Sequence, residues 1–236
     1  MAGMGVPAYE VCLLAAIAAG CAVYALSARR EGLRSDHAIF LLTAGLLGGA
    51  VGAKLPILLL HGRELAASGS PTAWLPGRTV IGGLAGAVAA VLLVRRRLGI
   101  LQPMGNHFAP AAALGIAIGR LGCLLRGCCY GRACSLPWAV DLGDHVRRHP
   151  AQLYEALFAA ALFGTLTLRA RRCPAPGALF RAFMLSYCGF RFLVEFLREG
   201  SPWAGGLTMA QWACLAAIAI YAGYRRRPSA IAPGAA

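Results

Sequence analysis

Charge is scarce in this chain. Only 14% of its 236 residues are charged, where a soluble domain carries about 25%. Acidic residues are fewest, with 9 Asp and Glu against 23 Lys and Arg. Lysine is nearly missing: Lys54 is its single occurrence, and it lies inside an apolar run. No basic stretch precedes the first apolar run, so that run reads as a retained span rather than a cleaved signal peptide. No long internal repeat or separate soluble domain is evident. The nine cysteines lack the setting of a small secreted domain, so no disulfide framework follows from them.

What is present is apolar. Hydrophobic residues make up 58% of the chain and the mean hydropathy is +0.63. An integral membrane protein is expected, folded as one helical bundle over residues 1–227, with residues 228–236 a disordered tail. Seven apolar segments can be drawn, at about 9–28, 37–60, 79–94, 108–125, 151–168, 178–197 and 208–224. The third is short for a span, and a partly re-entrant piece is the alternative. Residues 61–78 read as an ordinary surface connection.

The formal charge of +14 brings nucleic acid to mind. No nucleic-acid-binding motif accompanies it, and none is expected to bind. The arginines instead cluster in alternate loops: Arg29, Arg30 and Arg34; Arg95, Arg96 and Arg97; Arg169, Arg171 and Arg172; Arg225, Arg226 and Arg227. Basic loops face the cytoplasm. The all-α architecture expected is therefore a seven-span bundle with its N-terminus outside and its C-terminus in the cytoplasm.

Three stretches carry charge into apolar segments, where ionised groups are costly and mark sites. In the first, Arg120 stands between Gly119 and Gly122, followed by Cys123, Arg126, Gly127, Cys128, Cys129 and Gly131. On a helix Arg120, Cys123 and Gly127 share a face. Arg120 is about two turns from the loop, so snorkelling to the outer interface is its alternative role. In the second, Arg148, His149 and Pro150 precede Gln152, Tyr154 and Glu155. Glu155 lies inside a span and needs a partner, and a structural Arg–Glu pair would satisfy it. In the third, Arg191, Glu195 and Arg198 place plus, minus and plus on one helix face. Paired arginines point to an anion, because guanidinium stays charged and forks onto phosphate.

Together these stretches resemble the prolipoprotein diacylglyceryl transferases of bacteria. The resemblance rests on residues 119–131, the run His149-Pro150-Ala151-Gln152-Leu153-Tyr154-Glu155, and residues 190–198. Tyr9, Lys54, Gly82, Gly83 and the Met209-Ala210-Gln211 start of the last segment add to it. It covers nearly the whole chain. It implies seven spans in the bacterial inner membrane. It also implies transfer of a diacylglyceryl group from phosphatidylglycerol to the lipobox cysteine thiol of a prolipoprotein signal peptide, with release of glycerol 1-phosphate. No cofactor and no metal are implied. Arg120, Arg191, His149 and Glu155 would be catalytic. Tyr9, Lys54, Gly82, Gly83, Gly119, Gly122, Gly131, Gln152, Tyr154, Glu195 and Arg198 would bind substrate among the membrane lipids.

The chain departs from the family pattern at several places. Cys123 and Arg126 stand where the family has asparagines, Cys128 where it has a glutamate, and Ile81 where it has a histidine. The thiol must lose a proton to attack, and His149, Glu155 and Glu195 are the groups left to take it. Transfer to another acceptor with cysteine chemistry, or lipid binding without catalysis, are the other readings. The thiols Cys123, Cys128, Cys129 and Cys134 read as packing, an exported-side disulfide, or metal or catalytic groups. Their spacing is not a standard zinc pattern.

Overall fold

The computed structural model describes residues 5–30, 35–67, 79–100, 105–143, 145–172, 174–199 and 202–223. Arg34, Asp144, Cys173, Arg225 to Arg227 and the tail lie outside the described residues. Seven helices fall on the seven expected segments: α1 Gly5–Arg30, α2 Ser35–Ala67, α3 Val80–Arg97, α4 Gly105–Arg126, α5 Ala151–Ala170, α6 Ala178–Glu195 and α7 Met209–Gly223. Four contain stretches long and apolar enough to cross a membrane: Ala8–Arg30, Ser35–Leu59, Gly105–Arg126 and Ala151–Ala170.

One expectation needs correction. Residues 61–67 are not loop, because α2 continues to Ala67. Pro56 interrupts its hydrogen bonding without ending it. The third segment is one unbroken helix: α3 runs for 18 residues and carries Arg95, Arg96 and Arg97 in its last turn, where cations complement the helix dipole. One feature is additional to the all-α expectation. The connection from α4 to α5 contains a short antiparallel ribbon, β1 Val140–Asp141 against β2 Arg147–Arg148.

The bundle places polar groups inside and large apolar groups outside. Arg120, Gln152, Glu155, Arg191 and Glu195 are buried, whereas Leu14, Leu47, Leu59, Leu157 and Leu193 are exposed. Water gives no reason for that arrangement, and lipid does. Helix α4 is central, packing on α1, α5 and α6, while α6 also packs on α7. Ala109 and Ala113 of α4, Leu162 and Leu166 of α5, Phe183 and Tyr187 of α6 and Cys214 of α7 form the main apolar core. Tyr24 joins α1 to its neighbours in a second, smaller cluster: its ring lies tilted 4.6 Å from Phe108 of α4, and its hydroxyl donates to the Ala38 carbonyl of α2 at 3.2 Å.

Helices α2 and α3 form a pair of their own. Its seam is made of Gly48 and Gly52 facing Gly82 and Gly86. The four-residue spacing puts each pair of glycines on one face, and backbone packs on backbone there. A Cβ on Gly48 would stand 2.6 Å from the Gly86 carbonyl oxygen, and one on Gly52 would collide with that of Gly82. Pro56 has no N–H to give the Gly52 carbonyl; Gly82 covers that carbonyl. The Ala53 carbonyl accepts the Thr79 N–H at 3.0 Å, closing the entry to α3.

Substituting Gly86→Val should therefore force α2 and α3 apart at a cost of about 1–3 kcal/mol. Gly164→Ala, where nothing lies within 4 Å of the new Cβ, should leave stability unchanged or slightly raised. Thermal unfolding of both variants in detergent checks this, and equal melting temperatures would mean that the seam does not bear on stability.

A buried cluster of three arginines and two glutamates

Glu155 enters the interior one turn into α5 and is fully buried. Its Oε2 lies 2.6 Å from Arg120 Nη2 and 3.9 Å from Arg191 Nε, and its Oε1 accepts from Arg198 Nη1 at 3.1 Å. One carboxylate thus gathers guanidinium groups from α4, α6 and the turn after α6. Arg191 also pairs with Glu195 one helical turn on, and Arg198 Nε lies 3.7 Å from the same carboxylate. The ladder of alternating charges expected on α6 exists. Arg120 is 7% exposed, so it does not snorkel to the interface.

The five charged groups leave one positive charge in excess. Polar atoms are also left over. Arg120 Nε, Gln152 Oε1 and the Tyr187 hydroxyl are buried without a hydrogen-bond partner, and Glu155 Oε2 has ion-pair contacts only. Tyr187 is fully buried on α6 and feels the charges of Glu155, Arg120 and Arg191. Buried polar atoms are rarely unpaired, so such a group calls for a water or a ligand. The Arg120 Nε–H and the Tyr187 hydroxyl can donate and the net charge is positive, which suits an oxyanion.

The ends of the helices fix this arrangement. Helix α4 stops in a Schellman motif. Gly127 takes a left-handed φ of 68°, its N–H donates to the Leu124 carbonyl at 3.1 Å, and the Cys128 N–H donates to the Cys123 carbonyl at 3.1 Å. Gly127 therefore leaves the face expected for it with Arg120 and Cys123. The chain then runs as a ribbon. Gly131 N–H donates to the His149 carbonyl, His149 N–H to the Arg132 carbonyl, and Arg132 N–H to the Leu197 carbonyl. Gly131 is caught between Leu197 and His149, and a Cβ there would stand 2.7 Å from the His149 Cβ. This ribbon bridges Gly131 to Arg198 and so ties the turn after α6 to the start of α5. Gln152 Nε2 donates to the Cys128 carbonyl at 2.6 Å, locking the end of α4 against α5.

Other expected site residues lie around the cluster rather than in it. His149 is half-buried, with Nδ1 3.4 Å from the Tyr154 hydroxyl, which in turn accepts from Trp138 Nε1 at 2.8 Å. Tyr9 packs where α1 meets Gly122 of α4, and Arg126 stands over its ring at 4.9 Å. Gly119 has open space beside it. Lys54, Gly82 and Gly83 belong to the α2–α3 pair; the structure gives the two glycines a packing role.

Two contributors were not anticipated. Thr208 Oγ1 donates to Glu195 Oε1 at 3.0 Å and caps α7. The Gln211 side chain returns to the Thr208 N–H at 2.9 Å, and the Gln211 N–H donates to Thr208 Oγ1 at 3.3 Å. The spacing of Thr208 and Gln211 is a capping box and was readable as one. Tyr187 precedes Arg191 by one turn, and the spacing 187, 191, 195 was its signal.

The cysteines divide. Cys123, Cys128 and Cys129 have their sulfurs within 4.8 Å of one another. Hydrogen bonds from the other two thiols, with the charges of Arg198 and Arg120 behind them, hold the Cys129 thiol below its ordinary range. Cys134 N–H instead donates to the Arg147 carbonyl in the ribbon.

Comparison with known proteins shows the family. The family model for prolipoprotein diacylglyceryl transferase matches residues 1–225. This chain belongs to that family. It is 36% identical over 193 residues to a phosphatidylglycerol–prolipoprotein diacylglyceryl transferase of Methylobacillus flagellatus, covering 76% of this chain and 72% of the relative. A protein of the same name from Bordetella parapertussis is 38% identical over 160 residues, 64% of this chain and 61% of the relative. One from Cupriavidus necator is 35% identical over 216 residues, 83% and 76%. The chain is a transferase of lipoprotein biosynthesis, and its apolar helices are those of a membrane protein.

Breaking a buried ion pair by removing one partner costs about 3–5 kcal/mol. Glu155→Gln should lower the melting temperature in detergent more than Glu195→Gln, because Glu155 faces three guanidinium groups and Glu195 two. An unchanged melting temperature for Glu155→Gln would mean that the carboxylate does not hold the helices together.

Proposed function

We propose that this chain moves a diacylglyceryl group from phosphatidylglycerol to the lipobox cysteine of a prolipoprotein and releases glycerol 1-phosphate. The observation that carries this reading is the buried arginine cluster with its excess positive charge and the unpaired Arg120 Nε–H, in a family whose relatives are named for that reaction. We place the chain in the bacterial inner membrane as a seven-span bundle, N-terminus outside and C-terminus in the cytoplasm. The exposed basic groups at the ends of α1, α3 and α5 support that orientation. Four spans are long and apolar by themselves, and α3, α6 and α7 complete the count.

The chemistry follows from charge. The lipobox sulfur attacks the glyceryl carbon next to the phosphate, a carbon–sulfur bond forms, and the carbon–oxygen bond to phosphate breaks. The bonding pair leaves with the phosphate oxygen, which gains a negative charge. Fixed donors in a dry site stabilise such a developing charge because they need not reorganise. Arg120 meets it through its unpaired Nε–H, with the Tyr187 hydroxyl beside it, and Arg191 adds its charge. Glu155 and Glu195 are positioning residues here: each carboxylate aims two or more guanidinium groups. Gln152 holds the end of α4, and Tyr154 orients His149. His149 takes the thiol proton, since Glu155 and Glu195 are both committed to ion pairs with arginine.

Cells depleted of their own lipoprotein transferase and given this chain should lipidate a reporter prolipoprotein, read by mass spectrometry. Arg120→Ala should abolish lipidation while the protein stays in the membrane. Normal transfer by that variant would remove Arg120 from the reaction. The attacking thiol belongs to the substrate, so the double change Cys128→Ser with Cys129→Ser should keep most activity. Loss of transfer in that variant, with normal membrane expression, would mean that the enzyme's own thiols take part.

A further inference from the structure

We infer that Cys123, Cys128 and Cys129 form a three-thiolate site for a thiophilic d10 metal ion of the zinc(II) or copper(I) class, at the end of α4 beside the arginine cluster. The site is built by backbone geometry. In a Schellman motif the third residue from the helix end and the second residue beyond it come into side-chain contact. Those positions here are Cys123 and Cys128, and the hydrogen bonds of Gly127 and Cys128 to Leu124 and Cys123 fix them. Cys129 then turns back with a φ of 67°, a left-handed conformation unusual for a residue with a side chain. That turn brings the third sulfur to the other two, all within 4.8 Å. Gln152 clamps the Cys128 carbonyl from α5, so the turn is held from outside as well.

Distance, charge and access all suit such an ion. Thiolates bound to a tetrahedral zinc at about 2.3 Å stand about 3.8 Å apart, close to the spacing of these three sulfurs. Three sulfurs with no oxygen ligand select soft ions over magnesium or calcium. Three thiolates outweigh the charge of one such ion. The surplus negative charge falls where Arg120 and Arg198 act on Cys129 and Arg126 acts on Cys128. Cys129 is exposed and the other two are half-buried, so an ion can enter. The binding requires only this turn and does not depend on which lipid the enzyme uses.

The test uses the full-length protein in detergent, reduced and freed of metal with a chelator. Cadmium(II), a d10 probe, is titrated while thiolate-to-metal charge-transfer absorption is followed. One equivalent should bind with this signal in the wild type. Cys123→Ser, Cys128→Ser and Cys129→Ser should each lose that step, whereas Cys134→Ser and Cys214→Ser should keep it. Independently of any variant, cadmium or zinc(II) should shield those three thiols from maleimide, read by peptide mass spectrometry. A stoichiometric signal that survives the three serine changes would overturn the site. So would absence of the signal together with unshielded thiols, or a disulfide joining two of the three in the freshly isolated protein.

Discussion

Glu155 is a carboxylate with no access to solvent, and the interior of this protein is arranged around that fact. A lone buried carboxylate costs several kcal/mol in desolvation. Three guanidinium groups offset the cost here, from α4, from α6 and from the turn beyond it. Each of those arginines is itself an ion that low dielectric would otherwise expel. The cluster therefore fixes how α4, α5 and α6 pack, because Glu155 is the shared partner of all three arginines and, among the described residues, the one carboxylate paired with Arg120. It also leaves a surplus of positive charge in one place, beside the unpaired Arg120 Nε–H and Tyr187 hydroxyl. The same interaction that joins the helices thus prepares a seat for an anionic group.

The rest of the site depends on how helices end. Gly127 stops α4 in a left-handed residue, and Thr208 with Gln211 starts α7 in a capping box. Both devices satisfy backbone groups that a helix end leaves open. Each also delivers a side chain: Thr208 reaches Glu195, and the turn after Gly127 gathers three thiols. The ribbon between α4 and α5 then spans from Gly131 to Arg198 and His149 through backbone hydrogen bonds. Gly131 is required there for a steric reason, since the neighbouring segments at Leu197 and His149 leave no room for a Cβ.

The α2–α3 pair stands apart from this polar centre. Its glycine seam lets two backbones approach as closely as their carbonyls allow, which gives dispersion contacts where lipid removes the hydrophobic drive between helices. Gly82 and Gly83 are explained by that seam. Their resemblance to substrate-binding positions thus coincides with a packing role.

The sequence by itself determined the number and location of the helices, because apolar runs and arginine clusters are local signals. It also determined which charged residues had to be accounted for: Arg120, Glu155, Arg191 and Glu195 are costly wherever they sit in an apolar segment. The i, i+4 pairing of Arg191 and Glu195 was legible because both lie on one helix. Tertiary structure decided who pairs with whom across helices. That Glu155 takes Arg120 and Arg198, 35 and 43 residues away, follows from packing angles and loop paths that no local pattern encodes. The ribbon was hidden for the same reason, its partners being the ends of α5 and α6. The cysteines show the boundary most clearly. Their spacing matched no familiar ligand pattern, and only the left-handed turns at Gly127 and Cys129 bring their sulfurs together.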